Sequence, residues 1–176
     1  MKRLLFIALL LAISVSVKAQ SIAGIDIWSS KQKVKQILEN RGYTVYDEGA
    51  YLEVYDFIIG GNEFDFAKFY FQFVGVNSYF TDATFSSRYS LQSLEQAKKQ
   101  RDGLASLLKK KYGNEYYEEY EREGLKCYKM GANRKDEDKV KLLIALSKAM
   151  SKGGELGYYL DLIYTPEYIV DQLNEF

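Results

Sequence analysis

Apolar and polar positions fall into two successive blocks along the chain, and each block predicts a helix followed by strands. The first helix is predicted by the capping box of Ser29 and Gln32, in which each side chain bonds an amide of the first turn, and it should end at Gly42. Three runs rich in β-branched and aromatic residues follow, with glycine-containing turns between them. These runs are residues 51–59, 64–74 and 79–85.

The second block repeats this order. A longer helix is predicted over residues 90–112, with Arg101 on its solvent side. Its predicted buried positions are Leu91, Leu94, Ala97, Leu104, Leu107 and Leu108. Three more strands are predicted at residues 125–130, 140–146 and 158–164, and a short final helix begins at Pro166.

Runs of neighbouring antiparallel strands packed by helices are typical of α+β domains. We therefore predict a single α+β domain over residues 20–176. It should consist of two helix-plus-antiparallel-meander halves, about 20–88 and 89–176, that form a two-layer sandwich with the helices on one sheet face.

The first 19 residues have the pattern of a signal peptide. A short basic start, Lys2-Arg3, precedes an apolar run that is shorter than the roughly 20 residues needed to span a bilayer. Val17-Lys18-Ala19 places small residues at the −3 and −1 positions of a cleavage site before Gln20. We expect an exported protein, periplasmic or secreted, with no stable membrane insertion after cleavage.

Composition excludes several function classes. The chain of 176 residues contains no His and one Cys, so catalytic sites that need His, Cys/His zinc sites and iron–sulfur clusters are excluded. Lys and Arg number 24, as do Asp and Glu, and this balance gives no electrostatic case for binding nucleic acid. The sequence predicts no cofactor, no metal site and no nucleic-acid partner.

The opening Ile25-Asp26-Ile27-Trp28-Ser29-Ser30, followed by apolar Val34, Ile37 and Leu38, resembles the strand-turn-helix start of two groups of small exported proteins. One is the β-lactamase-inhibitor protein, built from two helix-plus-meander halves, and the other is the SmpA/OmlA outer-membrane-assembly lipoproteins, built from one. Lys111-Tyr112-Gly113 at the end of the second helix is similar in kind. The resemblance implies a protein-binding role without naming a partner. It implies no lipid anchor, because no Cys follows the apolar run.

The hairpin at residues 51–74 holds the candidate site. Side chains alternate between the two faces of a sheet, and a turn at Gly60-Gly61 pairs residues whose numbers sum to about 121. One face is then apolar and should pack on the helices: Leu52, Val54, Ile58, Ala67, Phe69, Phe71 and Phe73. The other face mixes large aromatic and polar residues: Tyr51, Glu53, Tyr55, Phe57, Phe66, Lys68, Tyr70 and Gln72.

A face of this second kind is too polar for a core and unusually aromatic for a surface. Tyr is enriched at interfaces because it buries a large area at a low entropic cost and keeps a polar tip. The sequence thus predicts a non-enzymatic binding module for a protein or a surface glycan. The predicted binding residues are Tyr51, Tyr55, Phe66, Lys68 and Tyr70. The alternative is that these aromatics pack against each other or under a loop.

Asp56 and Asp65 give an enzymatic alternative. The preferred register places them opposite each other on the apolar face, and two facing carboxylates about 5 Å apart could serve a retaining carbohydrate hydrolase. The opposing interpretation is that both lie where the strands near the turn meet water. We assign no catalytic residue on this basis.

Overall fold

The computed structural model describes residues 21–112, 117–130 and 140–166. Two α-helices lie in this part of the chain, α1 (Lys31–Asn40) and α2 (Leu94–Tyr112), and a 3₁₀ turn, Leu91–Ser93, leads into α2. The first strands are β1 (Ser21–Ile22), β2 (Ile25–Asp26), β3 (Tyr46–Asp47), β4 (Tyr51–Ile59), β5 (Asn62–Val74) and β6 (Asn77–Tyr89). The later strands are β7 (Tyr117–Arg122), β8 (Leu125–Met130), β9 (Val140–Met150) and β10 (Leu156–Pro166).

One large antiparallel sheet dominates the fold, and with the helices it makes the protein α+β, as predicted. Its eight strands lie in the order β3-β4-β5-β6-β10-β9-β8-β7, while β1 and β2 form a separate small ribbon. Each strand pairs with its neighbour in the chain except at the centre, where β6 meets β10. The central pairing therefore joins residues about 75 positions apart in the sequence, such as Ser86 and Asp161.

Helix α1 begins one residue later than the capping box predicted. Ser30 is the N-cap, and its hydroxyl accepts a hydrogen bond from the Lys33 amide at 3.3 Å. The helix ends as predicted at Gly42, whose φ of 90° is the left-handed conformation that glycine adopts without strain. The amides of Gly42 and Tyr43 bond back to the carbonyls of Glu39 and Leu38, which is a Schellman motif.

Helix α2 differs from its predicted burial pattern. Leu91 and Leu107 are 41% and 55% exposed, whereas Arg101, predicted on the solvent side, is only 5% exposed. Arg101 is buried because its guanidinium is well bonded: Nη1 donates to the Lys126 carbonyl and Nε to the Asp102 carboxylate. A charged residue can therefore occupy the middle of a helix stripe when neighbouring strands supply acceptors.

The hydrophobic core lies between the helices and one face of the sheet, which we call the helix face. Val34 and Leu38 of α1 and Leu104 and Leu108 of α2 belong to the same buried cluster as this face. Phenylalanine rings fill its centre: Phe85 lies 5.3 Å from Phe57 and 5.8 Å from Phe64, centroid to centroid. All seven residues predicted for this face in the hairpin are on β4 or β5 as expected, but two of the seven are not buried.

Ile58 is the first correction, and its cause is a switch of faces at Asp56. Asp56 has a φ of 53°, so the strand's alternation is interrupted there. Phe57, predicted on the polar side, turns into the core and is 1% exposed, while Ile58, predicted in the core, is 54% exposed. The pairing register itself remains as predicted, from Tyr51 opposite Tyr70 to Ile59 opposite Asn62.

Phe73 is the second correction, since it is 69% exposed. It pairs with Ser78 one step from the turn between β5 and β6, beyond Phe71, the last core residue of its strand. A register shift after Tyr70 lies just before this end of the hairpin.

Two predictions fall outside the described residues: the signal peptide with its cleavage site before Gln20, and the final helix after Pro166. Across the described ranges, neither helix has the length and apolar character needed to cross a membrane.

Candidate functional site

The sheet face opposite the helices carries the five predicted binding residues, and we call it the aromatic face. Three cross-strand pairs run along it between β4 and β5: Tyr51 with Tyr70, Glu53 with Lys68, and Tyr55 with Phe66. All three pairs are those predicted from the sequence. The structure therefore brings Tyr51, Tyr55, Phe66, Lys68 and Tyr70 together on adjacent positions of one surface.

Lys68 lies in the middle of this group. Its Nζ atom is 4.8 Å from the centre of the Tyr51 ring and 5.4 Å from that of Phe66, within range of cation–π attraction. The same nitrogen is 3.8 Å from Glu53 Oε1. Two aromatic rings and a carboxylate thus hold one ammonium group in a fixed place.

Glu53 is a buried charge, since only 5% of the residue is exposed. Besides Lys68, its carboxylate accepts a hydrogen bond from the Tyr55 hydroxyl at 3.2 Å, and Lys152 Nζ lies 4.0 Å away. Lys152 belongs to the five-residue turn between β9 and β10, so this turn reaches across to β4. A buried carboxylate needs such partners because desolvation of the charged form is costly.

The aromatic residues differ in exposure. Tyr55 is 50% exposed and its ring meets that of Tyr46 on β3 edge-on at 5.6 Å, while Tyr70 is about half-buried beside Asp82. Burial raises the pKa of both tyrosines, and the neighbouring carboxylates, Glu53 for Tyr55 and Asp82 for Tyr70, raise it further. Both hydroxyls therefore stay protonated at neutral pH, and that of Tyr55 donates its proton to Glu53.

A groove of about 850 Å³ runs along the aromatic face beside these residues. Tyr55, Phe66, Lys68 and Tyr70 form one side, and the turn that carries Lys152 contributes to the other. Its floor is polar and comes from β6 and β10, namely Thr84, Ser86, Tyr159 and Asp161.

Asp161 is the most unusual group of the floor. The Ser86 hydroxyl donates a hydrogen bond of 2.6 Å to its Oδ1, and no second hydrogen bond reaches this carboxylate within residues 21–112, 117–130 and 140–166. Burial raises the pKa of Asp161, although the Ser86 hydrogen bond and the charges of Lys68 and Arg122 oppose that shift. The carboxylate thus retains unused hydrogen-bonding capacity in a partly desolvated place.

Sequence reasoning missed the groove floor and Lys152. The alternation along 156–166 identifies which residues share a face, but nothing local indicates that β10 pairs with β6 rather than with a strand of its own block. The signal for Asp161 was a lone carboxylate in an otherwise apolar run, Tyr158 to Tyr164, at an alternating position.

Asp56 and Asp65 do not lie on the helix face as expected. Both are exposed, and they sit between the Tyr55–Phe66 and Phe57–Phe64 pairs at the point where the strands switch faces. They line one smaller pocket of about 450 Å³, and Asp65 borders the groove as well. Asp65 Oδ2 accepts a hydrogen bond from the Arg88 amide at 2.5 Å. The pairing of β5 with β6 ends at Phe66 and Ser86, and this bond satisfies the amide beyond that end.

No cluster of three or more potential metal ligands occurs in the described part of the chain. Neither a protein-family model, nor a curated protein, nor a solved structure matches the sequence or the fold.

Proposed function

We propose that this protein is an exported, non-enzymatic binding module that recognises a protein or a surface glycan through its aromatic face. The observation that carries the proposal is the group around Lys68. There, the rings of Tyr51 and Phe66 flank the ammonium of a nearly buried Glu53–Lys68 pair on the sheet face that the helices leave uncovered.

Such a group is a poor way to stabilise a fold. A buried ion pair is often no more stabilising than apolar residues of similar volume, and Tyr55 keeps half of its surface in water. Aromatic and charged groups held rigidly at a surface are, in contrast, what partners bind, because little conformational entropy is lost on contact. Lys68 and Glu53 fix the orientation of the neighbouring rings before any partner arrives.

The architecture supports the same proposal. In the sheet order, the last strand of each block, β6 and β10, meets at the centre, with the earlier strands of each block on either side. This arrangement is what two helix-plus-meander halves side by side in one sheet would give. Export itself, with cleavage before Gln20, remains part of the proposal and rests on the sequence alone.

A carbohydrate hydrolase is the second candidate, because Asp56 and Asp65 line the same small pocket next to the groove. Asp65 accepts a hydrogen bond from the Arg88 amide, so this carboxylate already has a structural role in the sheet. The binding proposal is therefore the better supported one. The hydrolase would be favoured if the protein released reducing ends from a polysaccharide and if both Asp56→Asn and Asp65→Asn abolished this release.

The test uses immobilised protein and an envelope extract or culture fluid of the source cells. We expect the immobilised wild-type protein to retain at least one component. We expect the immobilised Tyr55→Ala and Tyr70→Ala variants not to retain it. Phe73→Ala is the matched control, since it removes an exposed aromatic ring from β5 outside the groove. If both tyrosine variants retain all that the wild type retains, the aromatic face is not the binding surface.

A further inference from the structure

The groove on the aromatic face has the size of a small-ligand site. Its volume of about 850 Å³ lies within the range of pockets that enclose small molecules, about 300–1,000 Å³, whereas most protein interfaces are broad and nearly flat. An extended ligand of a few rings would fit along it. The volume therefore favours the glycan among the two partner classes that the proposed function leaves open.

The groove presents little net charge to a ligand. Four carboxylates line it, from Glu53, Asp65, Glu155 and Asp161, and three cations, from Lys68, Arg88 and Lys152. Most of these charges already have partners: Glu53 is near Lys68 and Lys152, and Arg88 pairs with Glu155. A strongly charged ligand would leave charges unmatched, so the groove suits a neutral one.

The polar groups that stay available suit a ligand with many hydroxyls. Asp161 offers a carboxylate oxygen that accepts no hydrogen bond from the described residues, next to Ser86 on the groove floor. Thr84 and Tyr159 add further hydroxyls along the same floor. Burial raises the pKa of Asp161, so the fold keeps this carboxylate at a cost in stability, as binding sites often do.

The side of the groove supplies aromatic rings, Tyr55 and Phe66, at paired positions on β4 and β5. The face of an aromatic ring carries partial negative charge, and it attracts the slightly positive C–H groups on the apolar face of a pyranose sugar. The aromatic rings on the side of the groove match the apolar face of such a sugar. The groups on the floor that accept hydrogen bonds match its hydroxyls.

We propose, resting on the binding function above, that the groove binds a neutral pyranose oligosaccharide. Sugar rings pack against Tyr55 and Phe66, and a sugar hydroxyl donates to the open oxygen of Asp161. Lys68 stays engaged with Glu53 and with the Phe66 ring, and Glu53 holds Tyr55 through the hydroxyl of that ring.

The test is calorimetric titration of residues 20–176 with six neutral hexasaccharides: cellohexaose, xylohexaose, mannohexaose, chitohexaose, maltohexaose and laminarihexaose. We expect at least one to bind with a Kd below about 1 mM, a contact of roughly 4 kcal/mol. Its affinity should stay constant between 50 and 500 mM salt, because screening does not weaken the binding of a neutral ligand.

Variants locate the binding. We expect Tyr55→Ala, Phe66→Ala and Asp161→Asn each to weaken the oligosaccharide about tenfold or more, while Phe73→Ala binds like the wild type. Asp161→Asn is the most informative, because it should weaken binding and at the same time stabilise the fold at pH 7. If Asp161 had only a structural role, Asp161→Asn would not weaken oligosaccharide binding while it stabilises the fold.

Two results overturn the glycan proposal. One is the absence of heat or saturation with all six probes at 10 mM, and the other is binding that none of the groove variants changes. If the probes fail while Tyr55→Ala still loses a protein from the envelope extract, the binding function stands with a protein partner. If that loss is absent too, both proposals fail.

Discussion

The two faces of the β4–β5 hairpin are both aromatic, yet they differ in what lies between the rings. On the helix face, Phe57, Phe69 and Phe85 contact each other at 5.3–6.1 Å and are at most 1% exposed. On the aromatic face, Lys68 lies between Tyr51 and Phe66, and Glu53 faces it. On the second face an ion pair lies among the rings, whereas Phe57, Phe69 and Phe85 contact one another directly.

Aromatic content alone does not indicate what a sheet face does. Phenylalanine rings packed on apolar neighbours stabilise the fold through burial and close contact. Tyrosines that stay partly exposed and border a buried ion pair add less stability, and they present groups that a partner can bind. The following predictions test whether this contrast between the two faces is real.

The largest effect is expected when two neighbouring residues that follow the face switch at Asp56, and that lie on opposite faces, are compared. Phe57→Ala should lower the free energy of unfolding by about 3–5 kcal/mol, because it removes a buried ring and leaves a cavity. Ile58→Ala should change it by less than about 0.5 kcal/mol, since this side chain is 54% exposed. Urea melts of both variants measure the two values, and equal losses would show that the strand does not switch faces at Asp56.

The ion pair on the aromatic face should have an intermediate effect. Lys68→Ala should cost about 1–3 kcal/mol, because the buried Glu53 carboxylate loses its nearer cation. Lys152→Ala is the matched control: its side chain is 77% exposed and we expect a change within about 0.5 kcal/mol. Adding Glu53→Gln to Lys68→Ala should recover most of the loss, and a double variant as unstable as Lys68→Ala alone would contradict a role for the pair.

The groove floor should show its effect in the pH dependence of stability. Because the pKa of Asp161 is raised in the folded protein, the folded state binds this proton more tightly than the unfolded chain does. Asp161→Asn should therefore stabilise the protein at pH 7, and its advantage should shrink as pH falls towards the ordinary carboxyl pKa of 3.8. Melts at pH 7, 5.5 and 4 follow this difference, and an advantage that grows on acidification would have the wrong sign.

Much of the first block could be predicted from sequence because its determinants are local. The turn at Gly60-Gly61, with φ angles of 58° and 78°, fixes the register of β4 and β5, and the five predicted site residues follow from that register. Gly42 likewise ends α1 where a glycine stop predicts. Such features depend on a few neighbouring residues and carry their own signal.

What could not be predicted depends on distant contacts or on a single backbone angle. The burial of Arg101 requires the Lys126 carbonyl of β8, and the groove floor requires β10 to lie beside β6. The face switch requires a positive φ at Asp56, which Asp tolerates better than most residues but does not demand. Strict alternation therefore misplaced Phe57 and Ile58.

The most direct test of the contrast between the faces compares Tyr55→Ala with Phe69→Ala in denaturant melts. Both residues are large aromatics on adjacent strands, and they differ in exposure, 50% for Tyr55 and 0% for Phe69. We expect Tyr55→Ala to lower the free energy of unfolding by less than about 1 kcal/mol and Phe69→Ala by about 3–5 kcal/mol. If Tyr55→Ala destabilises the protein as strongly as Phe69→Ala, the aromatic face is part of the packing of the fold and the binding surface does not exist.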